Sequence, residues 1–269
     1  MTDPTDSVLV ARENGVLTLT LNRPKFRNAM SREMTPLLTH LMREAQVDPA
    51  VRCVVVTGAG DHFTAGGDVS GFQRTLESSP EQRQEEFRGR LGKAAEMVEA
   101  FVDFDRPIVA RVRGAVAGAG LMLTLVADLV LADETATFVF AHQRMALIPD
   151  CGVSWLLPRV VGLRQAKRLL LTAAMIGGAE ALALGLLTSL HPTVDLDAAV
   201  AKAVAAFARA PQEAVKGTKR LLNDSLAATL GDQLKAERDA IAHCVGQDDF
   251  VEAVNAFLEK RPARFPSAP

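Results

Sequence analysis

Two short valine-rich runs in this chain each break into a loop of glycine and alanine, and that shared design limits its possible folds more than any other feature. The first run is VRCVVVT, Val51 to Thr57, followed by GAGDHFTAGGD up to Asp68. The second is PIVARV, Pro107 to Val112, followed by RGAVAGAGLM up to Met122. An apolar run without polar alternation reads as a strand buried on both faces, as in sheets covered by helices. Small residues between such a strand and a helix let a ligand approach the main-chain N–H groups. Two such loops side by side can aim two donors at one oxygen, forming an oxyanion hole. Either loop alone is also readable as a turn and packing device. A dinucleotide fingerprint does not fit. Gly58-Ala59-Gly60 would need glycine where Phe63 stands, and Gly114, Gly118 and Gly120 come in the wrong order.

Around these loops the pattern is mixed. Ser7–Val10 and Val16–Leu21 flank Glu13-Asn14-Gly15 as a hairpin. Ser31 is placed to cap a helix carrying Met34, Leu37, Leu38, Leu41, Met42 and Ala45, which Asp48-Pro49 ends. Ser79-Pro80-Glu81-Gln82 predicts a capping box. The helix after it runs to about Phe101, with Phe87, Leu91, Ala95, Val98 and Val102 on one face. Leu129–Ala132 reads as a further strand. Asp128 closes a turn or pairs a cation, and Asp133-Glu134 reads as a solvated turn. After Trp155 the pattern is mostly helical, with three or four helices between Asp195 and Lys260. The expectation is an α/β core over residues 1–195 and a helical region over 196–269.

Composition narrows the function classes. Of the 269 residues 48% are apolar, enough for a sizeable core, and the formal net charge of −2 gives no reason to expect nucleic acid. Cys53, Cys151 and Cys244 are far apart and lack CxxC spacing, which argues against a disulfide framework or a zinc site. The acidic start, MTDPTDSVLVARENG, has no signal-peptide pattern, and Ala115–Ala127 is shorter than the roughly 20 residues that span a bilayer. A cytoplasmic protein with no membrane or metal partner is expected.

Four segments, in order, resemble the signature segments of the enoyl-CoA hydratase/isomerase, or crotonase, superfamily. They are LNRPKFRNAM (21–30), TGAGDHFTAGGD (57–68), PIVARVRGAVAGAG (107–120) and MALIPDCGVSWLLPRVVG (145–162), with FLEKRPARF (257–265) similar to the family's tail. The resemblance implies a crotonase-like spiral of ββα units with a helical C-terminal trimerisation region. It also implies an acyl-CoA ligand, no separately bound cofactor, and a homotrimer or dimer of trimers. It places the oxyanion donors at the N–H groups of Ala65 and Ala119. It sets Lys25, Phe26 and Arg27 against the coenzyme A adenine and phosphates, although Lys25 and Arg27 also read as solvated loop cations. Asp68 matches the family's loop aspartate; either it faces the ligand or it caps a helix starting near Val69.

The two glutamates of the family's hydratases fall on Met122 and His142. Met122 cannot carry a proton and suits an apolar wall. His142 can titrate near neutrality or serve as a hydrogen-bonded structural residue. Asp150, in LIPDCG, resembles the catalytic aspartate of isomerase branches, its other reading being a helix N-cap. The resemblance therefore implies three functions: an enoyl-CoA isomerase with Asp150 as acid and base, a hydratase or acyl-CoA hydrolase using His142 and Asp150 on a water, or a non-catalytic acyl-CoA-binding relative.

Overall fold

The structure, a computed structural model, describes residues 7–268, so the reading of the first six residues lies outside the described residues. Strands β1 (Val8–Glu13) and β2 (Val16–Leu21) form the expected hairpin, with Asn14 and Gly15 both at positive φ in its turn. Helix α1 (Met34–Val47) leads to β3 (Cys53–Gly58). A short helix α2 (Ser70–Gln73) and the long α3 (Pro80–Val102) precede β4 (Ile108–Val112). Then come β5 (Ala115–Ala117), α4 (Ala119–Leu125), β6 (Leu129–Asp133) and β7 (Thr137–Val139). Helix α5 (Val153–Leu171), β8 (Met175–Gly177), α6 (Gly178–Ala183) and β9 (Ser189–His191) complete the mixed part. Four helices end the chain: α7 (Leu196–Arg209), α8 (Gln212–Ser225), α9 (Leu230–Val245) and α10 (Asp248–Leu258).

The large sheet runs β1-β2-β3-β4-β6-β9, parallel from β2 onward. A small sheet, β5-β7-β8, stands beside it. The main core includes Leu17, Leu19, Val54, Val56 and Ala110 from the large sheet, Met34, Leu38 and Met42 of α1, and Phe101 of α3. Cys53, Val55, Val109 and Leu131 point the other way and pack with Leu196 and Val200 of α7. Helix α7 is thus part of the sheet's packing, and residue 195 separates strands from helices without separating two cores. The capping box at Ser79 is present, with both reciprocal hydrogen bonds.

Several expectations are corrected. Ser31 does not cap α1; Glu33 holds that position and the helix starts at Met34. The cause is Met30, pinned in a parallel bridge to Gly67 by Met30 N–H to Gly66 O (2.7 Å) and Asp68 N–H to Met30 O (3.1 Å), which delays the helix. On α3 the fully buried residues are Met97 and Phe101, while Leu91 and Val102 face solvent, so the apolar face is rotated from the expected one. Asp133 is no solvated turn residue: it is fully buried and takes hydrogen bonds from Arg113 Nε (2.9 Å) and the Thr135 hydroxyl. Burial alone would raise its pKa, but these donors outweigh burial and hold the carboxyl below its ordinary value. Asp128 takes bonds from the Ile108 N–H (2.7 Å) and Lys219 Nζ (2.8 Å), closing a turn and pairing a cation. The three-residue strands β5, β7, β8 and β9 are too short to show a period in the sequence.

Candidate active site

Both glycine and alanine loops leave the carboxyl ends of neighbouring parallel strands, β3 and β4, the edge at which open α/β sheets hold ligands. They are joined along their length. Phe63 N–H donates to Arg113 O (2.7 Å), Thr64 N–H to Ala115 O (2.9 Å), and Ala117 N–H to Thr64 O (3.1 Å). Beyond Thr64 the loops approach closely where glycine leaves room. A Cβ on Gly66 would lie 2.8 Å from Ala117 O, and one on Gly120 would lie 2.2 Å from Thr64 Cγ2. Gly118, at φ 50° and ψ −124°, adopts a backbone that side chains strongly disfavour.

The hydrogen bonds around this contact decide which N–H groups are free. The Ala65 N–H donates to Arg27 O at 2.8 Å, so Ala65 cannot serve as an oxyanion donor and that expectation is corrected. Two residues on, the Gly67 N–H has no acceptor among the described residues. A Cβ on Gly118 would lie 3.5 Å from Gly67 N, which places that nitrogen beside the turn leading into Ala119. Ala119, the first residue of α4, likewise donates to nothing among the described residues. The free pair is therefore Gly67 and Ala119. Pairing the glycines Gly66 and Gly118 across the loops, rather than the first alanine of the motif, would have found Gly67 in the sequence.

Buried residues that sequence reasoning passed over hold this arrangement. Asn28 donates from Nδ2 to Ala59 O (2.9 Å) and His62 O (2.7 Å), and its Oδ1 accepts the Arg23 N–H (2.9 Å). Thr64 donates to Asn28 O (2.7 Å) and accepts the Gly66 N–H (3.1 Å). These bonds fix the Pro24–Phe26 turn against the first loop. On that turn Phe26 is 61% exposed and Arg23 stacks over its ring at 4.8 Å, and Lys25 and Arg27 are exposed too. Asp68 is engaged at both oxygens. Oδ2 accepts from Arg23 (2.9 Å), and Oδ1 accepts from the Ser70 N–H (3.1 Å) and hydroxyl (2.5 Å). Burial pulls its pKa up, and the Ser70 and Arg23 bonds bring it below the ordinary value. Asp68 thus anchors the loop and α2 and is not presented to a ligand.

The acid–base candidates come from the segment before α5, and α4 packs against α5. Asp150 is not an N-cap. Gly152, in the left-handed region, holds that position, and it is the Asp150 carbonyl that accepts the Val153 N–H (2.9 Å). Its side chain is 40% exposed, with Oδ1 3.9 Å from His142 Nε2. The His142 side chain is only 9% exposed, and neither ring nitrogen has a hydrogen-bond partner. The expectation of a hydrogen-bonded structural histidine is therefore corrected. Burial lowers the His142 pKa against the opposing pull of Asp150, leaving a neutral ring at pH 7. Burial and the adjacent Asp150 charge push the Cys151 thiol up to about 12, so it is no nucleophile. Met122 is fully buried in the core. Among the described residues no group of three or more His, Cys, Asp or Glu could hold a metal, and no helix is long and apolar enough to cross a membrane.

The structure thus combines a parallel sheet, two unengaged main-chain N–H groups on adjacent loops, and a half-exposed carboxylate on a third segment. Comparison with known proteins gives the family. A family profile described as Enoyl-CoA hydratase/isomerase matches residues 11–268. The 1,2-epoxyphenylacetyl-CoA isomerase of Escherichia coli K12 is 33% identical over 258 residues, covering 94% of this chain and 95% of that protein. The crotonyl-CoA hydratase of Syntrophomonas wolfei is 32% identical over 262 residues, covering 97% and 98%. The crystal structure of an enoyl-CoA hydratase from Polaromonas sp. JS666 superposes with a TM-score of 0.86 at 32% identity, covering 95% and 98%. The chain belongs to the enoyl-CoA hydratase/isomerase family and has its crotonase-like fold.

Proposed function

We propose that the protein shifts a carbon–carbon double bond in an enoyl-CoA thioester, with Asp150 as the proton carrier. The carrying observation is the pair of unengaged N–H groups, Gly67 and Ala119, held together by glycine-to-glycine contact. The thioester carbonyl oxygen accepts from both. The Asp150 carboxylate removes a proton from C2, and the C–H electron pair moves into an enolate whose charge rests on that oxygen. Returning the proton to C4 moves the double bond into conjugation and restores the carboxylate. No water enters the product. Met122 stands where the family's hydratases carry a glutamate, which favours isomerisation over hydration. The coenzyme A portion lies along the exposed Lys25, Phe26 and Arg27, whose cations suit its phosphates.

The test is exchange of the C2 proton in heavy water, which needs no guess at the final product. Wild type incorporates deuterium, and Asp150→Asn loses about 10²-fold or more of that rate while still binding the thioester. Exchange persisting in Asp150→Asn would reject the assignment. Acyl-CoA binding without exchange in wild type would point to a non-catalytic relative.

A second reading is favoured by the two unpartnered nitrogens of His142 beside Asp150. Together these groups could activate a bound water for hydration or thioester hydrolysis. Labelled oxygen from solvent in the product, lost in His142→Ala, would establish it; unlabelled product would exclude it.

Association into a homotrimer or a dimer of trimers is part of the proposal. Helix α8 buries none of its residues fully, and Leu222, Leu226, Leu230 and Leu234 are all more than half exposed. Large apolar side chains left this exposed over the end of α8 and the start of α9 are suited to burial in an interface. A sedimentation mass equal to one chain would refute it.

A further inference from the structure

Arg90 projects from α3 into a position that the reading above leaves unused. Its guanidinium carbon lies 4.7 Å from the centre of the Phe72 ring and 5.2 Å from that of Phe87, and the two rings are 5.1 Å apart. Among the described residues Arg90 makes no hydrogen bond and no ion pair, and its Nη1 is buried without a partner. The acids that could neutralise it are already engaged: Glu86 pairs with Arg32, and Asp68 with Arg23. Burial and repulsion from Arg32 both disfavour its charge, and the weaker pull of Glu86 and Asp68 does not cancel them. A half-buried guanidinium with one nitrogen buried and unpartnered, and only two rings for company, is short of an anion.

Its place in the fold says which anion. Phe72 sits on α2, five residues after Gly67, so chain geometry keeps it within about 18 Å of the oxyanion pair, and α2 folds it closer. Asp68 ties that helix to the loop through Ser70. We propose that Arg90, framed by Phe72 and Phe87, binds a carboxylate at the far end of the acyl chain, so that the preferred substrates are carboxylate-terminated acyl thioesters. This rests on the acyl-CoA reading above. The planar fork of a guanidinium matches a carboxylate through two parallel hydrogen bonds, and the rings give methylene groups an apolar flank. The coenzyme A phosphates carry the same anionic chemistry, but the exposed Lys25 and Arg27 suit such strongly hydrated groups better than a half-buried guanidinium against two packed aromatic rings.

The experiment is calorimetric titration of the full chain with adipoyl-CoA, hexanoyl-CoA and free coenzyme A, for wild type, Arg90→Gln and Arg90→Lys. Wild type should bind adipoyl-CoA about tenfold or more tightly than hexanoyl-CoA, the value of one charge-assisted pair. Arg90→Gln should erase that preference and leave hexanoyl-CoA and free coenzyme A unchanged. Arg90→Lys, which keeps the charge and loses the fork, should retain part of it and covers the case of a glutamine variant that fails to fold. Equal weakening of all three ligands would assign Arg90 to a phosphate and overturn the proposal. Hexanoyl-CoA bound as tightly as adipoyl-CoA by wild type would overturn it while leaving the acyl-CoA reading intact. Failure of wild type to bind any acyl-CoA would remove both.

Discussion

Replacing Gly66 by alanine tests the oxyanion pair without touching either donor. Gly66 sits at φ 88°, where a side chain costs about 1–2 kcal/mol. The added Cβ would also lie 2.8 Å from Ala117 O and 3.0 Å from Gly118 Cα, both backbone atoms that no rotamer change can move away. Ordinary contact begins near 3.4 Å, so the two loops must part by roughly half an ångström. The expected loss of stability is about 2–4 kcal/mol. Parting the loops also displaces Gly67 from Ala119. Loss of one oxyanion donor costs about 10²–10³ in rate, and Gly66→Ala should approach that. Gly60→Ala is the control. Its φ of 70° brings the same backbone strain, but the nearest atom is Pro24 Cβ at 3.5 Å, so it should lose only about 1–2 kcal/mol and keep its activity. Urea midpoints and C2 exchange in heavy water read both quantities. A folded Gly66→Ala protein exchanging within about threefold of Gly60→Ala would refute the pairing of these loops as the source of catalysis.

Two further outcomes follow from buried polar groups away from the oxyanion pair. Arg106, 2% exposed, donates to the carbonyls of Ala45 (2.5 Å), Gln46 (2.7 Å), Asp48 (2.7 Å) and Val51 (2.7 Å), satisfying the end of α1. Arg106→Leu strands those oxygens and should lower stability by about 3 kcal/mol or more in urea titration; a loss under about 1 kcal/mol would contradict that role. His142 has a lowered folded pKa, so below about 6.5 the unfolded chain takes up its proton first and stability falls as pH falls toward the folded value. His142→Leu should flatten the fall in urea midpoint between pH 7.5 and pH 5, and an unchanged slope would show that the ring is not the titrating group.

Much of this was legible because it rests on residue types that do only one thing well. The hairpin turn at Asn14-Gly15, the capping box at Ser79 and the valine-rich strands β3 and β4 follow from local backbone preference and burial on both faces. The short strands of the small sheet were not legible, because their pairing is decided by neighbours far along the chain. Thr64 with Val116 and Met30 with Gly67 are such pairings, and they also set the site. Met30 and Arg27 between them explain a missed helix start and a misplaced donor. The Met30 bridge holds Gly66 and Asp68 and so delays α1, while Arg27 takes up the Ala65 N–H and leaves the next free donor at Gly67. A motif read residue by residue says that a main-chain donor lies somewhere in FTAGGD; only a count of where each N–H goes says which one. The same count picks out His142 and Arg90, along with the Nε atoms of Arg52 and Arg83. On the reading proposed above, the acting groups are among those whose hydrogen-bonding capacity the protein itself does not use. On the proposed reading each is completed by what it still lacks: an oxyanion at Gly67 and Ala119, a polar atom at His142, and a carboxylate at Arg90.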